Sequence, residues 1–167
     1  MKQGKPSEPT PSLWCQFLSV SFAAASLNIA FFTCFGWYRS TVPSNASIAV
    51  RDVWHPVMLY TGLFLTASIG VLIASKLSGS RFIWYACGTI VIACIAAQYV
   101  YIFNLFSEND SVFFQHLGDH FFNRWLRGCA AMSAVSAVYA CVLLAVGKAA
   151  KWYLAFRAPT QQAPDAL

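Results

Sequence analysis

Only a handful of residues in this chain carry side chains able to do chemistry. The histidines number three, at His55, His116 and His120. His116 and His120 stand four residues apart, which puts two imidazoles on one helix face and makes them candidate metal ligands. A third ligand has to come from Asp119, which points to a different face of that helix, or from His55 folding across. Without one, the pair reads as interfacial histidines whose ring nitrogens meet water or headgroups. No histidine lies within an apolar stretch, so intramembrane haem ligation has no axial residues, and no cofactor is expected.

The six cysteines, Cys15, Cys34, Cys87, Cys94, Cys129 and Cys141, fall within or at the ends of apolar stretches. Thiols so placed behave as small apolar residues. They show neither a disulfide framework nor a spaced pair for zinc or redox exchange. Cys15, near a membrane boundary, is the one candidate for palmitoylation. Serines in the apolar stretches have no His, Asp or Glu within reach along the sequence, so acyl-transfer chemistry lacks its base. Glycine-rich phosphate loops are absent. The expectation is a protein that is not an enzyme. Two strong amides remain, Asn28 and Gln98, both deep in apolar surroundings. Counted from the starts of their segments they lie at nearly the same depth, ~22–24 Å along the helices. They are expected to face the interior and to hydrogen-bond each other or nearby Ser and Thr, as a packing clamp or as a contact for a polar or lipid headgroup.

The elements that hold these residues are four long apolar stretches, roughly 13–38, 57–75, 82–106 and 128–146, free of Asp, Glu, Lys and Arg. Each has about the 20 residues that a helix rising ~1.5 Å per residue needs to cross a ~30 Å bilayer core. Charged residues make up 10% of the chain and apolar ones 58%, with mean hydropathy +0.55, against about 25% charged in soluble domains. The fold class is therefore all-α: a four-transmembrane-helix bundle over residues 13–156, with polar tails at 1–12 and 157–167 expected to be disordered. An uncleaved first span is favoured over a signal peptide, because its apolar run continues past Ala23-Ala24-Ala25 to Tyr38.

A net charge of +5 invites a nucleic-acid reading, but its distribution gives another one. Lys2, Lys5, Lys76, Arg81, Lys148, Lys151 and Arg157 fall on one side of the four spans. Arg39, Arg51, Arg124 and Arg127 fall on the other, with Asp52, Glu108, Asp110 and Asp119 among them. The excess of basic residues near the short loops sets orientation, placing both termini in the cytoplasm of a plasma or internal membrane. The partners this implies are membrane lipids, and no nucleic acid. Asn45-Ala46-Ser47 and Asn109-Asp110-Ser111 are glycosylation triplets on the predicted outer side. Transport of ions is disfavoured, since the spans hold no ionisable Asp, Glu, Lys or Arg and no internal proline.

Helices in lipid associate through close backbone approach and interhelical hydrogen bonds. Gly62, Thr66, Gly70 and Ala74 form a small-residue stripe on span two. Ala130, Ala134, Ala137, Cys141 and Ala145 form another on span four, and Ser19, Ala23, Ser26 and Ala30 one on span one. These faces predict a compact left-handed bundle. The short Lys76–Arg81 connection makes spans two and three antiparallel neighbours. Before span four, Phe113, Phe114, Leu117, Phe121 and Trp125 recur at helical spacing with Gln115, Asp119 and Asn123 between them. That pattern fits a short amphipathic helix resting its aromatic side in the outer headgroups, or an extension of span four.

In span count, cytoplasmic ends and compact outer loops, the layout resembles the MARVEL-type and claudin-type tetraspan families. The Gly-Leu-Trp motif and cysteine pair of the claudin type are absent between Tyr38 and Trp54, and no functional residue is transferred. The function expected is membrane-protein assembly, scaffolding or trafficking through helix packing against other membrane proteins or itself. The alternative is binding of a lipid or small apolar ligand, or service as an accessory subunit of a membrane enzyme.

Overall fold

The computed structural model describes residues 12–41, 53–77, 80–106 and 110–157. Among these residues the chain is helical almost throughout: α1 (Leu13–Thr41), α2 (His55–Leu77), α3 (Arg81–Phe106), α4 (Asp110–His116), a π-helical segment (Leu117–Leu126) and α5 (Arg127–Arg157). Four helices are long and apolar enough to cross a membrane, which makes this an integral multi-pass membrane protein. Helix starts are set locally. The Ser12 hydroxyl accepts from the Cys15 amide at 3.3 Å, and the Ser80 hydroxyl from the Phe82 amide at 3.2 Å. Both are N-caps satisfying donors the helix leaves open. Pro56 sits in the first turn of α2, where its missing N–H costs nothing.

α1 is the hub. It packs along α2 and α5 and, less extensively, along α3, whereas α2 and α3 share little. α2 and α3, expected as antiparallel neighbours across their short connection, touch only slightly, because each packs mainly on other helices. The most apolar 18-residue window of α1 is 39% buried and that of α3 only 17%. Polarity follows burial. Ser19, Ser26, Asn28 and Thr33 of α1 are all buried, and small hydroxyl side chains there let three neighbours approach one backbone.

The α1–α2 contact uses the small-residue stripe of α2. Gly62, Gly70 and Ala74 are buried, and Thr66 accepts a hydrogen bond from Asn28. A Cβ on Gly70 would lie 2.8 Å from both the Cα and the amide nitrogen of Ala24, so the two backbones touch. A Cβ on Gly62 would instead meet the ring of Phe31, at 2.0 Å. Against α5, Ser133 and Ser136 donate to the carbonyls of Ala25 and Ala24 at 3.3 and 3.5 Å, and Ser21 Oγ lies 3.0 Å from Cys141 Sγ. The α5 face so buried is Cys129, Ser133, Ser136 and Ala140. It is displaced about one residue, or ~100°, from the stripe expected there. Ala130, Ala134 and Ala145 are exposed, and Ala137 and Cys141 are half-buried. The hydroxyls of Ser133 and Ser136 find acceptors on α1, and that decides which α5 face turns inward.

The aromatic segment before α5 is an extension of that helix, and its aromatic side faces protein. Phe113, Phe121, Trp125 and Cys129 are buried together with Ile102 of α3, with Leu117 packed against them. Phe113 meets Tyr99 and Phe103 edge-on. Phe114 stays exposed. The expectation that this aromatic face rests in headgroups is corrected. The contacts fall at a strict four-residue repeat, 113, 117, 121, 125 and 129. An α-helix carries each four-residue step ~40° further around its axis. The wider i→i+5 turn of a π-helix drifts the opposite way and offsets the α-helical steps, which keeps the row against α1 and α3.

Candidate functional site

At the end of the bundle holding the π-helical segment, α1, α3 and that segment enclose an open-sided cavity of about 530 Å³. Its apolar wall is Phe32, Ile102, Leu105 and Trp125, and its polar groups are Arg39, Ser40, Gln98, His120 and Arg124, with Trp37 and Tyr101 at its edge. Each side chain is placed by a distinct device. Trp125 Nε1 donates to Thr33 Oγ1 at 3.2 Å, a buried bond that pins the π-helical segment to α1. Trp37 Nε1 donates to Gln98 Oε1 at 3.2 Å, and Trp37 lies against Tyr101 with ring centroids 6.1 Å apart. The Thr33 hydroxyl, having accepted from Trp125, donates to the Ile29 carbonyl at 2.8 Å.

Gln98 is 8% exposed, and its carbonyl oxygen is engaged by Trp37. Its amide NH2 has no hydrogen-bond partner among the described residues. Arg39 and Arg124 line the same cavity and form no ion pair among the described residues. The polar stretch carrying His120 lies beyond the apolar part of the fourth span. Burial, followed by the nearby charges of Arg124 and His116, lowers the His120 pKa below its ordinary value, with Asp119 opposing. The permanent charge lining the cavity is that of the Arg39 and Arg124 guanidinium groups.

Asn28 and Gln98, expected at one depth, do not meet. Asn28 Nδ2 donates to Thr66 Oγ1 at 3.3 Å in the α1–α2 interface, and its Oδ1 is buried without a partner among the described residues. Phe22 stacks on Trp84 and Trp37 packs on Tyr101, which fixes the register of α1 against α3. In that register Gln98 sits level with the Trp37 turn, roughly two helical turns from Asn28. Counting depth from each segment's first apolar residue failed because α1 begins well before the level at which α3 starts. His116 and His120 stack, with centroids 5.1 Å apart and planes at 29°. Ring-nitrogen lone pairs lie in the ring planes, so stacked imidazoles do not aim them at one point between the rings. Among the described residues no three His, Cys, Asp or Glu side chains group as metal ligands. Asn45 and Asn109 lie outside the described residues. Cys15 is half-buried in the first turn of α1.

No family model, curated protein or solved structure matches this chain. The chemistry must be read from the molecule alone.

Sequence reasoning missed most of this cavity. From the sequence, Arg39 and Arg124 read as orienting charges and Trp125 as part of the amphipathic aromatic row. A signal was present for one pair of elements: Trp37 and Gln98 are complementary donor and acceptor near the same boundary. Nothing in the linear order brings the π-helical segment over them.

A second opening lies between α3 and α5, which both pack on α1 yet scarcely touch each other. Ile29 of α1 and Val91 and Ile95 of α3 line it with Cys129, Ala130 and Ser133 of α5, around about 200 Å³.

Proposed function

We propose that this four-pass protein acts without catalysis of its own, by packing laterally against another membrane protein or a second copy of itself. The observation that supports the reading is the α5 face bearing Ala130, Ala134 and Ala145, which the chain's own helices leave open. Small residues turned to lipid make poor contact with acyl chains but admit another helix backbone closely, and such close approach drives association in membranes. Ala130 borders the α3–α5 opening, and Ala134 lines a shallow apolar groove with Phe64, Val138 and Tyr139. The two therefore extend one small-residue line along the outward side of α5.

The glycines of α2 make poor test positions, because Gly62 and Gly70 already hold α1. Ala130→Leu and Ala134→Leu probe the open face instead. The paired variant is expected to keep the thermal unfolding midpoint in mild detergent while losing its co-purifying protein or its self-associated form on size-exclusion chromatography. An unchanged particle size and an unchanged set of co-purifying proteins would overturn the reading. Orientation belongs to the same proposal. The surplus of Lys and Arg at the end where residues 13 and 157 leave the bundle supports a cytoplasmic placement of that end.

A further inference from the structure

We propose that the cavity between α1, α3 and the π-helical segment binds the anionic head of a membrane amphiphile, a phosphate or a carboxylate, with its acyl chain laid along the adjoining groove of α3. Two guanidinium groups line one cavity without a counter-ion among the described residues. Arg is always protonated and presents forked donors matched to phosphate and carboxylate. Both arginines are exposed and line the same cavity, so an anion entering it can reach either guanidinium. Arg39 in the last turn of α1 also offsets the helix carbonyls there; Arg124 has no such role at the end of α1.

The second observation is independent of charge. The Gln98 side chain is more than nine-tenths buried and lines this cavity. Trp37 occupies its oxygen, so the group left over is an NH2 donor. That NH2 is left to donate into the cavity that Gln98 lines, where a head-group oxygen is a fitting acceptor.

The third observation fixes the class of ligand as amphiphilic. A groove of about 560 Å³ shares Trp37, Ser40 and Tyr101 with the basic cavity and continues over Ala96, Ala97 and Val100 of α3, with Asn104 as its further polar residue. One wall of aromatic residues thus separates a cationic compartment from an apolar one. Trp and Tyr at such a boundary belong at headgroup level.

The test uses the full chain, purified in mild detergent and examined by native mass spectrometry against phosphatidylglycerol, oleate and phosphatidylcholine in turn. The wild type is expected to retain one phosphatidylglycerol or one oleate far better than phosphatidylcholine. Retention of the diacyl lipid identifies the bilayer as the source, and retention of oleate alone identifies a free fatty anion. The paired Arg39→Gln and Arg124→Gln variant is expected to bind at least about tenfold more weakly, as loss of charge-assisted bonds implies. The Arg39→Lys and Arg124→Lys pair should recover much of that loss. Lys151→Gln, a basic residue at the opposite end, should leave retention unchanged. If the double Gln variant fails to fold, the single Gln variants are expected to weaken binding in its place, with the Lys pair as the charge-retaining control. Phosphatidylcholine held as well as the anionic lipids, neither anion retained, or Gln variants binding like the wild type would each overturn the proposal.

Discussion

Gly70 shows how much one missing side chain decides in this molecule. Its α-carbon faces the backbone of Ala24, and a Cβ placed there comes within 2.8 Å of backbone atoms that have no rotamer to change. Gly62 faces a Phe31 ring, which is half-buried and able to swing away. The two substitutions to Ala therefore have different expected costs, although both gain helix propensity. Gly70→Ala is expected to destabilise by roughly 1–3 kcal/mol, the usual penalty of overpacking, and Gly62→Ala by clearly less. Reversible unfolding in mixed micelles measures both. Equal effects would mean that α1 and α2 adjust as rigid bodies. The stripe Gly62, Thr66, Gly70 and Ala74 was legible at this scale, because small residues at four-residue intervals have few other uses. The partner of Asn28 was legible only as a class. Ser or Thr was expected, but which hydroxyl depends on the α1–α2 register that Gly70 sets.

At the scale of elements, the stretch from Asp110 to Leu126 behaves least like a plain loop. Its aromatic row needs a wide helical turn to stay on one face, and the Trp125–Thr33 bond ties that row to α1. Trp125→Phe removes the donor and the pyrrole half of a buried indole, so roughly 1–3 kcal/mol of local stability is expected to be lost. Amides of the π-helical segment should then exchange with deuterium faster, while those of the α1–α2 interface keep their wild-type rates. Uniform acceleration across all helices would show that the bond supports the entire bundle. The aromatic periodicity of this element was visible in the sequence, but its burial was not. Phe and Trp serve equally well in a headgroup layer and in a core, and only the position of α3 beside the row distinguishes the two. For α5, both Ala130–Ala145 and Cys129–Ala140 run as small-residue lines one residue apart. Hydrogen bonds from Ser133 and Ser136 to α1 choose the second.

The whole molecule is a hub with three helices around α1, two of which leave a gap between them. α5, with 31 residues, is ~46 Å long and exceeds a ~30 Å bilayer core. Its far end carries Lys148, Lys151, Trp152, Tyr153 and Arg157. There Lys148 donates to Gln16 of α1, Trp152 stacks on Phe156, and Arg157 lies over Tyr153. Basic and aromatic groups together suit the cytoplasmic interface proposed for this end. In that orientation the 42–52 connection is outside, and Asn45 is expected to carry a glycan when the chain passes through a secretory membrane. A mobility shift on enzymatic deglycosylation, absent in Asn45→Gln, checks this; a tag near residue 167 reached by protease from outside intact cells contradicts it. The number of spans, their approximate limits and the all-α class were determined by the sequence alone, because in lipid every backbone polar group must be satisfied within a helix. Which helix became the hub, which face of α5 turned inward, and the meeting of Arg39, Gln98 and Arg124 at one cavity were decided by the tertiary structure. Those outcomes depend on register and close approach between helices, which residue spacing along a single helix does not specify.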